Sequence, residues 1–169
     1  MAELDHFLKS RAPLTASDAA AALLVLEDGR YVLQRRDDFP HIWYPGHWGL
    51  FGGSVDNGED AMEALRRELS EELELDMAEA RLFVRFKFDL APIGLKEYFR
   101  AYYEVPVTLA EFDRLVLREG AEMRALPGDE ALALPHISPY DAFALFLHYR
   151  KLRLVGPAEA DQPGRANDR

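Results

Sequence analysis

Glu68, Glu71 and Glu72 stand at i, i+3 and i+4, and that spacing sets three carboxylates on one side of a helix. Arg67 precedes them directly. Carboxylates this dense repel one another unless cations neutralise them. Hard oxygen ligands in this number suit Mg²⁺ or Mn²⁺. The chemistry expected of such a site is to bind a phosphate-bearing substrate through metal and attack it with water. The plainer reading of a glutamate-rich helix is a solvated charged face. The helix start and the position of the glutamates beside an apolar stripe argue against it.

That helix has a clear beginning. Asp60 can cap it, with Glu63 three residues on as the reciprocal partner. Steps of about 100° bring Met62, Leu65, Leu69 and Leu73 together and turn Glu63, Arg66 and Ser70 to solvent. Glu68 and Glu72 fall beside the apolar stripe, near Ala61 and Ala64, and Glu71 flanks them. Carboxylates next to a buried face need partners. Upstream, Gly52 and Gly53 let the backbone approach a ligand or take a positive φ, unless they form only a tight turn. Asp56-Asn57-Gly58 reads as a turn.

The run GSVDNGEDAMEALRRELSEELEL, Gly53 to Leu75, resembles the signature of the Nudix hydrolases, G-x5-E-x7-R-E-U-x-E-E-x-G-U with U a bulky aliphatic residue. Gly53, Glu59, Arg67, Glu68, Glu71 and Glu72 hold the fixed positions, and Leu69 and Leu75 the U positions. The late glycine is replaced by Glu74. A glutamate there extends the helix if its φ is negative. The motif covers 23 of 169 residues, and the order of flanking elements extends the resemblance to most of the chain. The resemblance implies an α/β/α sandwich with a mixed central β-sheet. It implies that Glu68, Glu71 and Glu72 bind divalent metal near the Gly53 carbonyl. Arg67 would hold the glutamates by charge-assisted hydrogen bonds, supported by Glu59 from the loop. A further ligand often comes from a loop in this family; Glu119 is the first candidate and Glu122 the second. The catalytic base is then Glu68 or Glu119.

The remaining elements must position these groups. Residues 3–10 are expected as a short helix and 19–27 as a central strand, though the alanine run also allows a helix. Asp28-Gly29 marks a hairpin into a strand at 30–36, and 37–47 reads as an ordered loop. Strands follow at 81–90, 97–107 and 120–126, with a turn at 108–114. Ser138 is expected to cap a last helix that has Pro139 at its first position and runs to about 152. One domain over 1–154 and a disordered tail over 155–169 complete the expectation.

Arg35 and Arg36 end the second strand, where either could hold a phosphate or form a surface ion pair. Trp43 and Tyr44 are the candidates to stack on a base, with Gly52 beside them, while Trp48 reads as core. His41, His47 and His136 lack zinc-ligand spacing and read as structural. A net charge of −10 argues against broad binding to nucleic acid or anionic membrane. No apolar run is long enough to span a bilayer, and the first residues lack a signal-peptide pattern. With no cysteines, thiolate chemistry is excluded, and a cytoplasmic location is the plain reading. The expected partner is a small-molecule nucleotide; a homodimer is compatible with the chain but not readable from it. The function that follows is a Mg²⁺-dependent pyrophosphohydrolase cleaving a nucleoside diphosphate linked to another moiety. The alternatives are a nucleotide-sanitising (d)NTP pyrophosphohydrolase and a non-catalytic Nudix-fold binding domain.

Overall fold

The computed structural model describes residues 17–89, 92 and 96–154. The expected helix at 3–10 and the tail at 155–169 lie outside the described residues. The elements are β1 (Ala19–Leu26), β2 (Tyr31–Arg35), β3 (Trp48–Gly49), β4 (Phe51–Ser54), α1 (Ala61–Leu73), β5 (Arg81–Phe88), β6 (Tyr98–Val107), α2 (Leu109–Phe112), β7 (Glu122–Leu126), α3 (Gly128–Leu132) and α4 (Pro139–Leu154).

The seven strands form one mixed sheet. β1 is its axis. It runs parallel to β6 along its whole length, from Ala19 opposite Arg100 to Leu26 opposite Val107. On its other side it pairs antiparallel with β4 through Ala19–Ala22 and with β2 through Leu24 and Val25. The alanine run is therefore a strand. Period-2 alternation sends its side chains into two separate cores. Ala20, Ala22 and Leu24 pack with Leu65, Leu69 and Leu73 of α1. Ala21 and Leu23 pack with Ala144 and Leu145 of α4. Small side chains let both helices approach closely, and the result is the expected α/β/α sandwich. Truncating a core leucine such as Leu69 to alanine costs about 2–5 kcal/mol. A buried relay also ties α4 to the sheet: Tyr31 Oη lies 2.8 Å from His148 Nδ1, and His148 Nε2 lies 2.8 Å from Glu104.

Three local expectations need correction. Gly52 and Gly53 lie inside strand β4 rather than in a tight turn. Gly52 has φ +127°, and a Cβ there would sit 2.3 Å from the Ala20 carbonyl oxygen, so β4 presses against β1 only because that side chain is missing. The stretch 108–114 contains the single-turn helix α2, because Thr108 and Glu111 form a reciprocal cap. Ser138 does precede α4, and its carbonyl accepts from Ala142 N–H at 2.8 Å. Its hydroxyl is buried without a hydrogen-bond partner and so caps nothing.

The end of α1 decides where the next loop goes. Glu74 takes φ 54°, ψ 30°, the left-handed conformation a glycine favours. Its N–H donates to Ser70 O at 3.0 Å and Leu75 N–H donates to Leu69 O at 3.2 Å, so the helix stops and Leu75 turns back into the core. The Glu74 carboxylate accepts from Arg118 Nε at 2.6 Å. Arg118 N–H donates to Glu72 O at 2.8 Å and Val116 N–H to Leu73 O at 3.1 Å. The last carbonyls of α1 thus dock the 115–119 segment, which carries Glu119.

A left-handed non-glycine residue costs about 1–2 kcal/mol, and the exposed Arg118 pair returns at most about 1 kcal/mol. Glu74→Gly is expected to raise the thermal midpoint by about 1–4 °C in a melting experiment. A lowered midpoint would mean that the Arg118 contact outweighs the backbone strain.

Candidate active site

Arg67 is the hub. Its Nε and Nη2 clasp Glu59 at 2.8 and 3.1 Å, its Nη1 donates to Glu68 at 2.9 Å and Glu71 at 3.3 Å, and its Nη2 also donates to Ser54 O at 3.0 Å. One planar fork therefore fixes the 55–60 loop, β4 and the acidic face of α1 together. The hydrogen bond from Arg67 holds the Glu59 carboxyl below its ordinary pKa. The same contact, with Glu68, raises that of Arg67.

The glycine strand sets the other side. A Cβ on Gly53 would lie 2.3 Å from Glu68 Oε1, so only glycine lets the carboxylate reach the β4 backbone. Glu72 goes deeper and is 5% exposed. Gly52 N–H donates to its Oε2 at 2.8 Å, and the buried Gln34 amide donates to its Oε1 at 3.1 Å. Burial raises the Glu72 pKa to about 7; Gln34 and Gly52 oppose the rise, and Glu68 and Glu119 add to it. Burial also raises the pKa of Glu68, with Arg67 opposing and Glu71 and Glu119 adding. Glu71 is exposed and pairs with Arg67 at 3.3 Å.

Glu119, from a distant segment, thus disfavours the charge of both Glu68 and Glu72. Among the described residues, no three acidic or histidine side chains are already gathered around one cation position. The donor chemistry nonetheless fits a hard divalent cation. The donors are all oxygen, and mutual repulsion of the carboxylates is what such a cation would relieve.

Two cavities flank this cluster. The first is lined by Ala19, Arg36, Trp43, Gly52, Gly53, Tyr98, Arg100 and Tyr140, among others. The second is lined by Gln34, Arg36, Phe39, His41, Glu72, Arg118 and Glu119, among others. Of the expected substrate contacts, Arg36, Trp43 and Gly52 line the first cavity. Arg36 Nε donates to the Trp43 carbonyl at 2.9 Å and so shapes the loop. Arg35 and Tyr44 line neither cavity. Arg35 lies opposite Glu122 in the β2–β7 register and pairs with it at 3.3 Å. Tyr44 packs edge-on against Tyr140 and His47, with ring centroids 5.0 and 5.5 Å apart. Glu122 is also paired with Arg124, whereas Glu119 lines the second cavity with Glu72. His47 contacts the Pro45 carbonyl at 2.9 Å, and His41 stacks on Phe39.

Reading the sequence missed Gln34, Tyr98, Arg100 and Tyr140. The one available signal was polar residues, Gln34 and Arg100, on strands whose neighbours are apolar.

The family model for the NUDIX domain matches residues 16–142. Over 50 residues the chain is 48% identical to "Nucleoside triphosphatase NudI" of Escherichia coli, a stretch that is 30% of this chain and 35% of that protein. The aligned stretch is thus about a third of that relative's length. A MutT protein of Methanosarcina mazei Go1 superposes with a TM-score of 0.64 at 21% identity, covering 84% of this chain and 98% of that one. The E. coli dihydroneopterin triphosphate pyrophosphohydrolase superposes with a TM-score of 0.62 at 20% identity, covering 83% and 99%. At these identities the two structures establish the shared fold.

The Glu72 environment predicts a pH signature in the chelated protein. Its folded pKa, about 7, lies above the ordinary glutamate value of 4.5. The folded state therefore holds a proton that the unfolded state has lost. The stability tied to that proton is full below about pH 4.5 and disappears as pH rises through 7. Glu72→Gln removes the titration, and a flip of the Gln34 amide lets the new side chain keep both partners. Thermal melts in chelator should give Glu72→Gln a growing advantage over wild type from pH 4.5 to 7.5, on the order of 1–3 kcal/mol. A difference that does not change with pH would refute the burial argument.

Proposed function

The chain belongs to the NUDIX family, whose hydrolases act on phosphorus-containing anhydrides, and on that premise we propose a Mg²⁺- or Mn²⁺-dependent pyrophosphohydrolase that cleaves a nucleoside diphosphate linked to another moiety. The observation that carries this reading is the pair of cavities on either side of Glu72 and Gly52, with Arg36 lining both. A diphosphate diester has a group at each end and a P–O–P bridge between them. The aromatic cavity of Trp43, Tyr98 and Tyr140 suits one end. The cavity of Phe39, His41 and Arg118 suits the other. The bridge would then lie against the glycine strand, beside the carboxylates.

Glu68, Glu71, Glu72 and Glu119, with the Gly53 carbonyl, are the groups that would hold the metal. When bound, the cation supplies charge neutralisation for the phosphate oxygens and acidifies water for attack. The protein's own contribution is positional. Arg67 fixes Glu68 through its fork, and Gly52 N–H and Gln34 aim Glu72. Glu68 or Glu119 is the base that takes the proton from the attacking water; burial favours a proton on Glu68, and Arg67 opposes it. Arg36 answers phosphate charge. Glu71, more exposed, completes the acidic face. A cytoplasmic site of action accords with this substrate class.

A second reading is a nucleoside triphosphate pyrophosphohydrolase. It is favoured by the names of the similar proteins, a nucleoside triphosphatase and a dihydroneopterin triphosphate pyrophosphohydrolase. The 48% identity covers 50 residues only, too little to carry a substrate over. An intact carboxylate set weighs against a purely binding role.

A screen with nucleotide sugars, dinucleotide polyphosphates and ordinary or oxidised dNTPs, its phosphomonoester or pyrophosphate products converted to inorganic phosphate by added phosphatase or pyrophosphatase, tests the choice. Activity should vanish in chelator and return with Mg²⁺ or Mn²⁺, and a diphosphate diester should have the highest kcat/KM. A dNTP at the top of the ranking would promote the second reading, and full activity in excess chelator would end both.

The loop glutamates give a separate test. Glu122 is held by Arg35 and Arg124, and Glu119 lines the second cavity with Glu72. Glu119→Gln should lower kcat on the order of 10²-fold, and Glu122→Gln less than about threefold. The reverse order would move the loop role to Glu122.

A further inference from the structure

Arg100 is a half-buried cation in the aromatic cavity. Its side chain is 19% exposed. Nε donates to Tyr102 Oη at 3.2 Å, Nη2 lies 3.6 Å from Asp141 Oδ1, and the guanidinium sits 4.0 Å from the Tyr140 ring centroid. Asp141 is itself anchored, accepting from Leu50 N–H at 3.2 Å and Tyr102 O–H at 3.0 Å. The guanidinium plane is therefore fixed before any ligand arrives. Among the described residues Arg100 Nη1 has no hydrogen-bond acceptor, and the group lines the cavity that Trp43 also lines.

A guanidinium donates hydrogen bonds and never accepts them. Whatever meets Arg100 must present an acceptor. Phosphate is one such group, but two observations favour an uncharged acceptor. Asp141 already balances the charge, and the carboxylates that would handle phosphate through metal lie across Gly53 on the other side of β4. The walls of this cavity are aromatic, which suits a flat ring.

We infer that the cavity takes the nucleobase, and that Arg100 selects bases carrying an oxo group, 6-oxopurine over 6-aminopurine and 4-oxopyrimidine over 4-aminopyrimidine. This rests on the hydrolase reading above for the presence of a nucleotide. The selection is electrostatic and steric together. An oxo group, with the acceptor beside it in a purine, matches a donor fork. An exocyclic amino group sets N–H against N–H and leaves the half-buried donor without its partner. Arg100 is then a specificity-determining residue, apart from the groups that hold metal or move protons.

The test is direct binding of nucleoside monophosphates, followed through tryptophan fluorescence, since Trp43 lines the cavity and the chain has two tryptophans. Wild type should bind inosine monophosphate about tenfold or more tighter than adenosine monophosphate, and uridine monophosphate tighter than cytidine monophosphate. Arg100→Gln should bring both ratios close to one. Arg100→Lys, which keeps the charge beside Asp141 but loses the fork, should lower the purine ratio at least threefold. It supplies the reading if the glutamine variant does not fold. Wild-type ratios near one, no fluorescence response to any nucleotide, or variants that weaken all four ligands equally would each overturn the inference; the last would identify a phosphate contact. Hydrolysis measured in parallel separates the two claims. Turnover without base preference overturns the base selection and leaves the hydrolase reading standing. Base preference in binding without turnover supports the base selection and removes the hydrolase reading.

Discussion

Three carboxylates share one face of a single helix, and one guanidinium is set against them. The rest of the site follows from that imbalance. Arg67 can satisfy Glu59, Glu68 and Glu71 because its donors diverge, but it does not reach Glu72. Glu72 is instead held by a backbone N–H and a neutral amide, which orient it without supplying a full charge. Burial wins over those two hydrogen bonds, so its proton is held to near neutral pH. The strand opposite had to give up side chains for this to fit. Gly52 admits β1 and Gly53 admits the Glu68 carboxylate, and each is required by a contact near 2.3 Å.

What could be read in the sequence was local. The helix, its cap, its apolar stripe and its acidic face are fixed by spacing within 14 residues, Asp60 to Leu73. The sandwich was implied by the family resemblance that this motif and the order of flanking elements carry. The ranking of paired candidates could not be read, because it depends on which strands meet. Arg35 and Glu122 face each other only once β7 adds to β2. That pairing commits Glu122, while Glu119 lines the second cavity with Glu72. Arg36, one residue beyond the strand, escapes the same fate. Tyr44 carried the right chemistry for stacking, yet tertiary packing uses it as a support behind the cavity wall. Arg100 and Tyr140 lie 40 residues apart and become neighbours through the β6–α4 contact. No periodicity announces a contact of that kind.

The missing late glycine is the clearest case of backbone geometry outweighing residue preference. The chain must leave α1 in the left-handed conformation to return Leu75 and Met77 to the core. Burial of those two side chains offsets about 1–2 kcal/mol of strain without difficulty. The glutamate that takes the strain also contacts Arg118, and Arg118 belongs to the segment that docks on the helix carbonyls. The departure from the family pattern therefore sits on the same joint that brings Glu119 to the cluster.

An acidic chain with the proposed anionic substrate must separate its long-range field from its local one. A net charge of −10 repels a nucleotide at a distance, but screening confines that repulsion to about 8 Å at physiological ionic strength. Within that distance the balance changes sign from place to place. Arg36 and Arg100 line the aromatic cavity, and Arg36 and Arg118 line the second one. The carboxylates occupy the ground between. Under the proposed function a nucleotide would approach along the cationic cavities, and the acidic ground would accept phosphate only with a divalent cation between like charges. The two arginines of the aromatic cavity divide the work by their surroundings. Arg36, on the loop and shared by both cavities, can follow charge. Arg100 is locked between Asp141 and Tyr140 and can only present a fixed pattern of donors, which makes it suited to reading shape and hydrogen-bonding edge rather than charge.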